Sequence, residues 1–174
     1  MTSYTLRELQ LKANGNVASE IALAVAFAGS AQDLLEQVDP AIDHILQEFS
    51  RTPKERQGRS EDGLSIDIIT SLKHLGFQAS HDTTTGGHCD IVIDGRFDFL
   101  WLGEAKTHSS YDWLLQGFNQ DKWEEHLRAS REDVTIEERA TGDLEMRTRH
   151  THARTGREYH VRHVIVSLYW NPKK

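Results

Sequence analysis

The stretch that decides this chain is Cys89-Asp90-Ile91-Val92-Ile93-Asp94-Gly95-Arg96-Phe97-Asp98-Phe99-Leu100-Trp101-Leu102-Gly103-Glu104-Ala105-Lys106. Two apolar runs, rich in β-branched and aromatic residues, flank an Asp-Gly turn signal. That pattern predicts strands over Cys89-Ile93 and Phe97-Lys106, joined as an antiparallel hairpin. Strand side chains alternate between faces, so Glu104 and Lys106 point the same way. Counting outward from Asp94-Gly95, with a bulge or a longer turn allowed, brings Asp90 near Glu104. Two carboxylates and an amine would then meet at one sheet edge. Such a cluster is costly unless a cation or a function compensates for it.

A magnesium ion accounts for the set. It takes hard oxygen ligands and keeps several waters, so one or two carboxylates with a substrate phosphate suffice. Asp90 and Glu104 are the expected ligands, joined by the backbone carbonyl of Ala105. Lys106 would orient a water, favour its deprotonated form and screen charge on a phosphorane-like transition state. The competing reading of the three residues is a surface ion pair between Glu104 and Lys106 beside a turn aspartate. The apolar runs leading into them argue against it, because charges at the ends of core strands are informative.

Working outward, Ser60-Glu61-Asp62 begins a helix with Ser60 as N-cap. Leu64, Ile68, Leu72 and Leu75 form its apolar stripe, and Gly76 ends it. Phe77-His81 reads as a short strand and Thr83-Gly87 as a loop. Beyond Lys106, Tyr111-Arg128 reads as a helix. Leu144-His152 and Glu158-Trp170 read as two strands around a turn at Ala153-Arg157, and Val164-Trp170 has the apolar content of a central strand. Residues 1–50 read as helix, with Asp39-Pro40 as a turn and helix start. Polar Ser50-Gly58 is the linker candidate. The expected organisation is a helical N-terminal extension over 1–58 and a mixed α/β domain over 59–174, with a basic hairpin arm near 143–160.

Cys89-Asp90-Ile91-Val92-Ile93 followed by Leu102-Gly103-Glu104-Ala105-Lys106 resembles the PD-(D/E)XK nuclease superfamily, which includes restriction endonucleases and many repair and phage nucleases. The family core runs helix, three strands, helix, strand. That order matches residues 60–170 with the basic arm as an insertion, while residues 1–59 lie outside the resemblance. His88-Cys89 stands where the family often has a proline before the aspartate. The resemblance implies a restriction-endonuclease-like α/β core and a magnesium- or manganese-dependent DNA endonuclease. It also implies an acid on the first helix, for which Glu61 fits, lying three and seven residues before Leu64 and Ile68. A charge favoured at a helix N-terminus explains Glu61 equally simply. The second helix of the family often supplies a glutamine. Gln120 is the candidate beside the water and Gln116, one turn earlier, a candidate phosphate contact. Two solvated amides are the plain alternative.

The chain carries a net charge of -7, unusual for a protein that handles nucleic acid. The distribution is uneven: residues 141–174 carry +4, so residues 1–140 carry -11. Arg147, Arg149, Arg154 and Arg157 are therefore read as a phosphate-contacting arm, against the alternative of a solvated charged hairpin. His88 and His108 flank the acid and the lysine and are candidate phosphate contacts or acids for the leaving oxygen. A zinc site is disfavoured: there is one cysteine, Cys89, and His160 and His163 do not share a strand face. No basic start followed by an apolar run opens the chain, and the most apolar stretch, Ile21-Gly29, is too short to span a bilayer. A soluble cytoplasmic protein without membrane contact is expected. Residues 1–50 are apolar enough to hold a partner protein or a second copy as a homodimer. The rival to an enzyme is a catalytically inactive nuclease-fold module that binds nucleic acid or protein.

Overall fold

A computed structural model of the chain describes residues 4–82, 89–105, 135–139, 145–151 and 155–168. The architecture is mixed α/β, with helices and two three-stranded antiparallel sheets. The chain divides into two compact units, Met1–Thr107 with Leu168–Lys174, and His108–Ser167.

The first unit opens with three helices, α1 (Leu6–Ala13), α2 (Val17–Phe27) and α3 (Ala31–Arg51). Each has a side-chain N-cap: Thr5 with Glu8 in a reciprocal capping box, Asn16 on the Ser19 N–H, and Ser30 on the Asp33 N–H. These caps satisfy amides that the first helical turn leaves without carbonyl partners. Asp39-Pro40 does not start a helix; Pro40 lies inside α3. An interior proline forfeits one backbone bond and clashes with the preceding turn, at about 3 kcal/mol. Leu34, Val38, Ala41, Ile45 and Phe49 run as one buried stripe on both sides of it. Burying that stripe outweighs the local penalty, so tertiary packing overrides the turn signal.

The polar Ser50-Gly58 segment contains a short helix, α4 (Pro53–Arg56), with its proline in the first turn. Arg56 lies over the Phe49 ring at 4.1 Å, and Arg59 pairs with Asp67 at 2.5 Å. The segment is thereby tied to the next helix, α5 (Glu61–His74). Ser60 caps α5 by accepting the Gly63 N–H at 3.1 Å. Leu64, Ile69, Leu72 and Ser65 are its buried positions, Leu75 is buried just past its end, and Gly76 leaves it at φ +93°. Only glycine takes that conformation without strain. α5 packs on strands β1 (Gln78–Asp82) and β2 (Cys89–Asp94), and α3 packs on α5.

The first sheet has the order β1-β2-β3, with β3 at Leu100–Gly103. β2 is central, and Ile91, Val92 and Ile93 are all buried. Its junction with β3 is antiparallel as expected, but the tight Asp94-Gly95 turn is not formed. Asp94 pairs with Leu100, and a 3-10 turn, Arg96–Asp98, fills the connection. Phe97 and Asp98 adopt φ of 65° and 55°. That left-handed backbone costs about 1–2 kcal/mol per non-glycine residue. Arg96 offsets it by donating to the carbonyls of Val25 at 3.0 Å and Ala26 at 3.4 Å, at the C-terminal end of α2. A cation there also meets the negative end of the helix dipole. Arg96→Ala should therefore lower stability by about 1.5–3 kcal/mol, the usual worth of charge-assisted bonds. A urea melt checks it; an unchanged midpoint would show that the turn holds itself.

The second unit contains β4 (Thr135–Arg139), β5 (Glu145–Thr151) and β6 (Glu158–Val164), in that order and antiparallel. The hairpin arm expected near 143–160 is β5–β6. Residues 130–142 gave no clear sequence signal, yet 135–139 form the third strand. Val164-Trp170 does not continue as a strand through its described part: β6 ends at Val164, and 165–168 are irregular. The helix expected over Tyr111-Arg128 lies outside the described residues. No helix among the described residues is long and apolar enough to cross a membrane.

Candidate active site

The β2–β3 ladder sets the candidate site. Ile91 pairs with Gly103, and the same register carried one residue further sets Asp90 across from Glu104. Asp90 Oδ2 accepts the Ala105 N–H at 3.1 Å, a contact spanning fifteen residues of chain. The sequence reading required these two strand ends to meet, and they do. Asp90 and Ala105 are half-buried, whereas Glu104 is exposed just past the last residue of β3. A carboxylate has two oxygens and about four acceptor positions, so accepting one N–H does not exhaust Asp90 as a ligand. On the other face of the ladder, the Cys89 thiol donates to the carbonyls of Gly103 at 3.3 Å and Ile91 at 3.4 Å.

Asp90 and Glu104, at neighbouring strand ends, are hard oxygen donors of the kind that magnesium or manganese takes, and such an ion needs few protein ligands. Glu61 is the first residue of α5 and half-buried. Among the described residues, no three His, Cys, Asp or Glu side chains gather as metal ligands, so Glu61 does not join Asp90 and Glu104 in such a group. Lys106, His88, His108, Gln116, Gln120 and Arg154 lie outside the described residues.

The hairpin arm is described by itself. Arg147 and Arg149 share one face of β5 with Glu145, and register sets Arg162 and His160 of β6 opposite them. Arg162 grips Glu145 through two bonds, at 2.7 and 2.9 Å, with Arg147 also 3.7 Å from that carboxylate. Arg149 pairs with Glu158 at 2.6 Å. The arm is less basic in effect than its arginine count suggests, because its own acids are interleaved with them. Arg157 is exposed in the turn after Gly156.

The opposite face of β5 is buried, with Met146, Thr148 and His150 all nearly inaccessible. Thr148 Oγ1 lies 2.8 Å from His150 Nε2 and 2.9 Å from His163 Nε2, and His150 stacks on Tyr159. Sequence spacing missed this grouping because His150 and His163 are brought together across strands. A hydroxyl can donate to one imidazole and accept from the other, which requires the accepting ring nitrogen to be unprotonated. Burial pushes His163 down to about 4, and His150 adds to the fall. An unfolded histidine titrates near 6.5, so between these values the unfolded chain binds the extra proton. Stability of this sheet should therefore be complete above about pH 6.5 and decline as pH falls towards 4. The loss should be on the order of 1–2 kcal/mol, after discounting for solvent that reaches the ring. Urea midpoints at pH 7.5 and 4.5 test it: His163→Gln should flatten the dependence, and an equal slope in both proteins would refute the assignment.

Comparisons of the chain with protein-family models, with curated proteins and with solved structures find no match.

Proposed function

We propose that this chain is a metal-dependent nuclease that hydrolyses phosphodiester bonds, acting on DNA as an endonuclease, with a restriction-endonuclease-like core. The observation that supports it best is the Asp90–Ala105 contact across the β2–β3 ladder, which joins the two halves of the Asp…Glu-x-Lys pattern at one strand end. Asp90, Glu104 and the Ala105 carbonyl would hold a magnesium or manganese ion. Such an ion supplies Lewis acidity, a lowered water pKa and a template for the phosphate. Asp90, tied to the Ala105 amide, keeps its carboxylate at the end of a rigid central strand. Glu104 presents its carboxylate to solvent, where a phosphate can approach. Lys106, two residues on, orients the attacking water and balances charge on the phosphate oxygens.

Gln120 and Gln116 would act on the water and a phosphate, with His88 and His108 as further phosphate contacts. Arg147, Arg149, Arg154 and Arg157 would steady the nucleic-acid backbone. The N-terminal helices leave Leu11, Val17, Phe27 and Leu35 exposed, and pairing two copies through them would bring two sites to one duplex. The reading is tested by incubating supercoiled plasmid with the full chain in Mg2+ or Mn2+, with and without EDTA. Nicking that EDTA abolishes is expected. Intact plasmid in both metals, or nicking indifferent to EDTA, would contradict it.

A further inference from the structure

Phe97 is unfavourable twice over. It stands at φ 65°, with Asp98 following at 55°, and the Phe97 side chain is left open to water at 48% exposure. The left-handed region is an outlier for a bulky residue, and an exposed ring forgoes the gain of burial. Glycine would take this backbone without strain, and a polar residue would not leave apolar surface in water. Strain of this kind persists where it serves a contact, and the chain's own fold does not bury this ring.

Arg96 ties that ring to a second one. Its guanidinium lies 5.5 Å from the Phe97 centroid and donates to the carbonyls of Val25 and Ala26, the latter leading directly into Phe27. Phe27 closes α2 and is 57% exposed. Two open aromatic residues, some seventy positions apart in sequence, thus flank one arginine. Their surroundings are acidic. Asp98 adjoins Phe97, and Asp33 accepts the Gly29 N–H at 2.7 Å, two residues past Phe27. Asp33, Glu36, Asp94 and Asp98 are all exposed. Between Lys12 and Arg51 the sequence has six acids and no lysine or arginine, and between Lys73 and Arg96 it has three acids and neither base.

We infer that Phe27 and Phe97 form a docking surface for a cationic, apolar segment of another protein. The rings take its apolar side chains, and the surrounding acids match its lysines or arginines. Aromatic anchors carry interface affinity, and complementary charge around them selects the partner. The same acids oppose a nucleic-acid backbone or an anionic lipid surface. They would also face one another across two identical copies, so pairing of copies is left to Leu11 and to Val17 at the opposite end of α2. The inference stands apart from the nuclease reading and needs neither metal nor turnover.

Fluorescence anisotropy of the full chain with a labelled amphipathic helix of leucine and lysine tests it. Saturable binding is expected, and the same helix with glutamate in place of lysine should bind at least about tenfold less tightly. Phe97→Gly and Phe27→Ser should each weaken binding of the lysine helix by about tenfold or more, the scale of an aromatic anchor. Phe97→Gly should leave the melting temperature unchanged or raise it, because glycine relieves the left-handed backbone. Leu11→Ser, away from the two rings in sequence, should bind as the parent does. Absence of saturable binding overturns the inference, and so does a loss in neither or only one of the phenylalanine variants. An equal loss in Leu11→Ser overturns it too, because the surface would then not be the one assigned. Equal affinity for the two helices would leave the acids without a role and overturns the charge match. A lower melting temperature in Phe97→Gly assigns the ring to the chain's own packing, against the inference. A parent dimer that Phe97→Gly dissociates makes a second copy the occupant and overturns it as well.

Discussion

Glu104→Ala abolishes metal-dependent plasmid nicking while the metal-free melting temperature stays within a few degrees of the parent. Both halves of that result follow from position. Glu104 is exposed and lies just outside the β3 ladder, so its side chain contributes little to packing. Losing one of the two proposed carboxylate ligands would remove a full charge from a site proposed to hold a dication beside a phosphate. Interactions of that kind are worth about two to three orders of magnitude in rate when a single group is deleted. Lys106→Ala should act the same way at unchanged metal affinity, since it is assigned to the water and not to the ion. Asp90→Ala is the less clean variant, because it also strips the acceptor from the Ala105 amide. Time courses of supercoiled-to-nicked conversion in Mn2+ provide the measurement. Full cleavage by both Glu104→Ala and Lys106→Ala would end the nuclease assignment.

The largest stability effect falls on Leu72. It is fully inaccessible on α5, the helix that packs on β1, β2 and α3. Leu72→Ala removes three buried carbons where helix, sheet and N-terminal helices share one core. Such truncations cost about 2–5 kcal/mol, with the upper end where the site cannot collapse. An ordinary domain has about 5–15 kcal/mol in total, so this change alone should leave the first unit marginal. Urea denaturation followed by circular dichroism gives the value. A loss below about 1 kcal/mol would mean that α5 does not seal the core as described.

Much of this arrangement was legible in the residues. Ser60, the Leu64-Ile68-Leu72-Leu75 stripe and Gly76 define α5 by local physics alone, a cap, a period and a left-handed stop, although Ile69 is buried and Ile68 only half-buried. The strand over 89–93 and the 100–103 part of the one expected over 97–106 declared themselves by their apolar content, and their antiparallel pairing followed from proximity in the chain. What escaped was set by partners distant in sequence. Asp39-Pro40 gave a turn signal that the buried face of α3 overrode. Asp94-Gly95 gave a hairpin signal, but Arg96 found carbonyls at the end of α2, some seventy residues earlier, and the connection widened to reach them. β4 was hidden because Thr135–Arg139 is mostly charged, and pairing with β5 supplies the order that composition did not.

The site was legible to a similar depth. Counting outward from Asp94-Gly95 brought Asp90 to Glu104 only with a longer turn allowed, and the Arg96–Asp98 connection supplies that length. Glu61 followed from resemblance, and helical spacing alone does not carry it to those carboxylates. The arm's arginines were counted correctly, but their pairing with Glu145 and Glu158 depends on cross-strand register that one strand's spacing cannot reveal. The same limit hid the Thr148–His150–His163 group.

The central claim is that a divalent cation sits where β2 and β3 end. Anomalous diffraction from a crystal soaked in Mn2+ examines that place directly. The account predicts a manganese peak bonded to both the Asp90 and Glu104 carboxylates, with the Ala105 carbonyl in its coordination shell. Manganese bound only elsewhere, or Asp90 and Glu104 directed apart with no peak between them, would contradict it.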